Sequence, residues 1–120
     1  MKVLYCSWYE NSQEDLENAL NKITDEVIVI EHKVREYLGI DESVRQEIIS
    51  IVENGIDMII SFDFFPALSQ ICESYNIKYV SWVYDWPNYT LFHKEAYNKC
   101  NRIFLFERDG VKLLSQYNIN

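Results

Sequence analysis

Five short apolar runs, rich in β-branched and aromatic residues, recur along the chain with helix-spaced segments between them. The runs are Val3–Cys6, Val27–Ile30, Met58–Ser61, Tyr79–Val83 and Ile103–Phe106. Continuous apolar runs of this length read as strands buried on both faces. Ser12 and Asp15 have the spacing of a capping box, and Leu16, Leu20 and Ile23 follow at helical intervals. A second helix is predicted from Glu42 to Glu53 on the stripe Val44, Ile48, Ile51 and Val52, with Asn54-Gly55 as a left-handed stop. A third starts near Phe65-Pro66, where proline suits a first turn, and carries Leu68, Ile71, Cys72 and Tyr75 before Asn76 ends it. A short helical piece at His93–Lys99 and a last helix over Asp109–Tyr117, burying Leu113, Leu114 and Tyr117, complete the pattern.

Strands separated by whole helices run parallel, because an antiparallel return needs only a tight turn. Right-handed crossovers then give an α/β domain with an open, doubly wound, five-stranded parallel sheet between two helical layers. Strand orders 3-2-1-4-5 and 2-1-3-4-5 both fit, and the first is preferred. The 120 residues form one domain, with no internal repeat and no linker.

Net charge narrows the ligand classes. A formal charge of −8 and a sequence pI near 4.7 make a phosphate backbone or an anionic membrane surface a poor partner. The three cysteines, Cys6, Cys72 and Cys100, are odd in number, lack metal-ligand spacing and lie in apolar stretches. Buried free thiols in a reducing compartment are expected, with a reactive thiol as the alternative. The N-terminus shows no signal-peptide hydrophobic region, and no run approaches the roughly 20 residues of a membrane span. A cytoplasmic protein is the expectation.

Ligands of doubly wound sheets bind beyond the carboxyl ends of the strands, where the winding reverses. The residues there are Ser7-Trp8-Tyr9-Glu10, Glu31-His32-Lys33, Phe62-Asp63-Phe64-Phe65, Tyr84-Asp85-Trp86-Pro87-Asn88-Tyr89 and Glu107-Arg108. In the 3-2-1-4-5 order Trp8 faces Tyr84, Asp85 and Trp86 across the crevice. Flat aromatic faces beside carboxylates suit a sugar, whose C–H face stacks while its hydroxyls bond the acids. Asp85 is the candidate to orient an acceptor hydroxyl or take its proton, or else to cap its own loop. Asp63 precedes a helix start, which suits an N-cap more than ligand contact. Trp8, Phe64 and Trp86 line the ligand side or close the core. His32 and His93 have no partners at metal spacing and read as exposed or structural, or else as a base. Arg108 meets an anionic group, or pairs with Glu107 or Asp109.

Several motifs are missing. No G-x-G-x-x-G, no G-x-x-x-x-G-K-[ST] and no G-x-S-x-G occurs, so neither a phosphate-cradling glycine loop nor a nucleophile elbow is supported. The first strand is not followed by the Ser/Thr/Gly-rich loop of a flavodoxin-like module. The paired acids and the lysine of a response-regulator receiver are absent as well.

Three stretches carry a family likeness: Ile60–Leu68 (ISFDFFPAL) followed by Cys72-Glu73, Ile77–Pro87 (IKYVSWVYDWP) and Cys100–Phe106 (CNRIFLF). Together they resemble the N-terminal domain of bacterial spore-maturation-protein-like glycosyltransferases, a domain of unknown function that precedes a glycosyltransferase group 1 half. The likeness covers roughly residues 55–110, while residues 1–54 match in strand–helix rhythm. It implies a GT-B architecture of two Rossmann-like domains with the active site between them. The N-terminal domain would bind the acceptor, which is a glycan, lipid or protein hydroxyl, and the C-terminal domain the nucleotide-sugar donor. No metal or other cofactor is implied for this domain, which alone would not turn over substrate. The acceptor side would be lined by Trp8, Asp63, Phe64, Tyr84, Trp86 and Arg108, with Asp85 as the catalytic candidate. The alternative is a non-catalytic Rossmann-like module that binds a ligand or protein.

Overall fold

The computed structural model describes residues 1–7, 13–31, 41–83, 91 and 94–105. Its elements are β1 (Lys2–Ser7), α1 (Gln13–Ile23), β2 (Glu26–Glu31), α2 (Glu42–Glu53), β3 (Met58–Phe62), α3 (Pro66–Tyr75), β4 (Lys78–Val83), a 3₁₀ turn (Lys94–Tyr97) and β5 (Asn101–Leu105). All strand pairs are parallel. The open five-stranded Rossmann-like sheet expected from the sequence is present.

The strand order is β2-β1-β3-β4-β5, not the preferred 3-2-1-4-5. Both orders satisfy right-handed crossovers, so handedness could not choose between them. Burial chooses. Strand β3 carries no charge and is buried from Ile59 to Phe62, so it belongs between two neighbours. Strand β2 begins and ends on exposed glutamates and is half-exposed from Val27 to Val29, which suits an edge.

Side chains alternate across the sheet and build two apolar layers. On one face Val3, Tyr5, Ile60 and Phe62 pack with Leu16 and Leu20 of α1. On the other, Leu4, Cys6, Ile30, Ile59, Tyr79 and Val83 pack under Ile48 and Val52 of α2 and Leu68, Ile71 and Cys72 of α3. Ile23 and Tyr75, expected in the helical stripes, are exposed instead. Each closes its helix, where the surface curves away from the sheet, and the Tyr75 hydroxyl donates to Glu53 Oε1 at 2.8 Å.

Helix boundaries follow local chemistry. The Asp41 side chain accepts the Ser43 N–H at the start of α2. Gly55, at φ +106°, turns the chain out of that helix, as the Asn-Gly pair predicts. Pro66 opens α3 and Asn76 closes it in the left-handed region at φ +54°. The expected helical piece at 93–99 is described from Lys94 on, where it is a 3₁₀ turn over Lys94–Tyr97. Strand β5 starts at Asn101, two residues before its apolar run. Asn101 is drawn in because its side chain is buried, accepting from Ser69 Oγ at 2.6 Å and donating to the Glu95 carbonyl at 2.8 Å. The helix expected at 109–117 lies outside the described residues.

Two buried tyrosines sit in contrasting settings. Among the described residues the Tyr5 hydroxyl has no hydrogen-bond partner, whereas Tyr79 Oη accepts the Phe65 N–H at 3.1 Å. Tyr5→Phe is therefore expected to leave stability unchanged or raise it by up to about 1 kcal/mol. Tyr79→Phe orphans a buried N–H and is expected to cost about 1–3 kcal/mol. Urea unfolding of the two variants beside the parent chain measures both.

Candidate functional site at the carboxyl edge

The order β2-β1-β3-β4-β5 moves the point where winding reverses to the seam between β1 and β3. Strands β1 and β4 are separated by β3, so the expected pairing of the segments after β1 and β4 across one crevice does not form as adjacent strand ends. Trp8, Tyr84, Asp85, Trp86, Arg108, His32 and His93 lie outside the described residues. Of the expected ligand-side residues, Asp63 and Phe64 are described, and both follow β3 at this seam.

Phe64 is wholly buried, its ring tilted against Tyr79 at 5.7 Å between centroids, so it closes the core. Asp63 does not serve as an N-cap. The N-cap of α3 is Phe65, whose own side chain makes no capping bond. Asp63 instead stands in the left-handed region at φ +62° and is only 4% exposed. Its N–H donates to the Trp82 carbonyl at 2.8 Å, which extends the β3–β4 ladder by one residue. Aspartate tolerates this region better than most residues, yet the conformation has a cost and is held only where its surroundings enforce it.

Those surroundings are hydroxyls that sequence reasoning missed. Ser61 Oγ donates to the Asp63 carbonyl at 2.9 Å and lies 2.6 Å from Tyr79 Oη. One signal was available: a tyrosine inside a buried central strand needs a partner for its O–H, and Ser61 stands directly across the β3–β4 ladder from Ser81, two residues along β4 from Tyr79. On the β1 side, Ser7 is fully buried and donates to Gln13 Oε1 at 2.6 Å. Gln13 Nε2 donates to Glu31 Oε1 at 2.6 Å and to Glu17 Oε1 at 3.1 Å. Continuing the β1–β3 register from Tyr5 opposite Ile60 brings Ser7 beside Phe62, with Asp63 one step on. Adjacent strands lie about 4.8 Å apart, so the two polar groups flank one seam.

Among the described residues the charge of this edge is one-sided. The described strand ends carry Ser7, Glu31 and Asp63 and no lysine or arginine, whereas β1 and β4 begin on Lys2 and Lys78. Hydroxyl or ammonium donors suit these acceptors. Among the described residues no group of three His, Cys, Asp or Glu side chains is placed to hold a metal ion. No described helix is long and apolar enough to cross a membrane.

The thiols are not poised for chemistry. All three cysteines are free; Cys6 and Cys72 are buried and Cys100 half-buried. Burial pushes Cys6 and Cys100 up to about 12, and it raises Cys72 as well. Burial also raises Tyr79, partly offset by its hydrogen bonds with Ser61 and the Phe65 amide.

Comparison with protein-family models, curated proteins and solved structures returned no match for this chain.

These shifts fix the sign of an alkaline effect. The thiols titrate near 9.0 when unperturbed and higher in the fold, so above pH 9 the unfolded chain releases protons that the folded chain retains. Stability is therefore expected to be level in this respect below pH 9 and to fall progressively between pH 9 and about 12. Urea midpoints across that range, with Cys6→Ala flattening part of the slope, provide the measurement.

Proposed function

We propose that this chain is the acceptor-binding, Rossmann-like N-terminal domain of a GT-B glycosyltransferase, its ligand side being the β1–β3 carboxyl edge. The observation that carries the reading is Asp63, a buried acid in a left-handed conformation where the sheet reverses its winding. Strained backbone of this kind gathers at ligand sites.

Two further features support it. The stretches that resemble the spore-maturation-protein-like glycosyltransferases, Ile60–Leu68 and Ile77–Pro87, include Ser61, Asp63, Phe65 and Tyr79, the residues that build the corner around Asp63. The described strand ends carry Glu31 and Asp63 and offer hydrogen-bond acceptors, which complements sugar hydroxyls rather than a nucleotide diphosphate. Donor binding, and with it turnover, would fall to a second Rossmann-like domain.

In this reading Asp63 accepts a hydrogen bond from an acceptor hydroxyl and fixes its direction. Asp85, which follows β4, remains the candidate to take the proton.

Titration of the ¹⁵N-labelled protein with a panel of methyl glycosides is expected to shift the amides of Ser7, Gln13 and Asp63. Uridine diphosphate is expected to leave them in place. Asp63→Asn keeps a side chain that tolerates the left-handed region, and it should weaken glycoside binding roughly tenfold, about 1.4 kcal/mol. Shifts caused by uridine diphosphate alone would reject the acceptor-side reading.

A further inference from the structure

The corner between β3 and α3 contains a chain of hydrogen bonds whose proton directions can be assigned. The Phe65 N–H donates to Tyr79 Oη at 3.1 Å. Tyr79 Oη and Ser61 Oγ lie 2.6 Å apart, and either could donate. Ser61 Oγ has one proton and reaches the Asp63 carbonyl at 2.9 Å. Tyr79 lies 3.5 Å from that carbonyl, the limit of a hydrogen bond. Giving the Ser61 proton to Asp63 leaves the Tyr79 proton for Ser61, and the three contacts of 3.1 Å or shorter are then satisfied. The relay runs from Phe65 N–H to Tyr79 O–H to Ser61 O–H to the Asp63 carbonyl.

We propose that the Tyr79 and Ser61 hydroxyls are positioning groups that hold Asp63 in its left-handed conformation at the β1–β3 edge. Their protons are committed and both side chains are fully out of solvent, so neither hydroxyl is offered to a ligand. They act through Asp63. The relay fixes the peptide group after Asp63, and the bond from the Asp63 N–H to the Trp82 carbonyl fixes the one before it. Between two fixed peptide planes the Asp63 backbone has one setting, and its side chain leaves the backbone in one direction. The use of that setting for a sugar rests on the proposed acceptor-binding function; the positioning itself does not.

The test separates the two. A residue with positive φ gives a strong intraresidue amide-to-Hα cross-peak in nuclear Overhauser spectra, because the two hydrogens approach closely. In the parent protein Asp63 is expected to show it. In Tyr79→Phe, and in Ser61→Ala as a milder cut of the same relay, the cross-peak is expected to weaken several-fold. Any methyl glycoside shift at Asp63 should shrink with it. Ile71→Val is the control, a core change in α3 that lowers stability without touching the relay.

A folded Tyr79→Phe or Ser61→Ala protein whose Asp63 cross-peak matches that of Ile71→Val overturns the proposal. Loss of the cross-peak in the relay variants supports it, even where no glycoside binds the parent protein. That last outcome would reject the acceptor reading alone.

Discussion

The hydrogen bond from the Phe65 amide to the Tyr79 hydroxyl ties the candidate site to the core. Phe65 is the N-cap of α3, and helix starts carry amides without intrahelical partners. A short polar side chain usually caps such an end. Here the cap comes from the neighbouring strand, through a ring wholly buried beneath the helix. Because Tyr79 projects from β4, capping α3 also fixes the helix against the sheet. Because its hydroxyl continues to Ser61 and Asp63, it fixes the loop as well. An apolar residue at Tyr79 would pack a comparable volume but leave the Phe65 amide unpaired in a low-dielectric interior, where such a group is costly.

A second consequence concerns the sheet. Phe62 and Trp82 stack on the α1 side of the same strands, with ring centroids 5.9 Å apart, opposite the face where Tyr79 lies. Strands β3 and β4 are thus pinned from both faces near their carboxyl ends. At the other end, Ser69 of α3 bonds Asn101 of β5, and the Cys100 amide donates to Glu73 at 3.0 Å. Helix α3 is held polar-to-polar at both ends, with Leu68, Ile71 and Cys72 filling the middle. A corner anchored in this way can keep a left-handed aspartate without the glycine that such a position ordinarily favours.

Much of this was legible in the sequence, and what was not has identifiable causes. Helix α2 and the closing of α3 at Asn76 follow from capping residues and stripes that act locally. The strand order did not follow, because crossover handedness permits both windings. The glutamates bounding β2 and the uncharged run of β3 were the available clue to which strand lies at the edge. Asp63 looked like an N-cap because it stands just before a proline-led helix. The cap went to Phe65 because a hydroxyl from β4, sixteen residues downstream of Asp63, reached the helix start first. No short-range pattern encodes that contact. Gln13, which joins Ser7 to Glu31, was hidden in the same way, since its three partners come from two strands and its own helix.

The sharpest single measurement is native-state hydrogen exchange at the Phe65 amide. This N–H belongs to no helix or sheet ladder, so ordinary loop behaviour would let it exchange within the fast class of amides. If it donates to the buried Tyr79 hydroxyl, it opens only when the β3–α3 corner opens, and it should exchange as slowly as the central amides of β3 and β4. Exchange at the rate of an unprotected loop amide would contradict the relay, and with it the account of how Asp63 is held at the edge of the sheet.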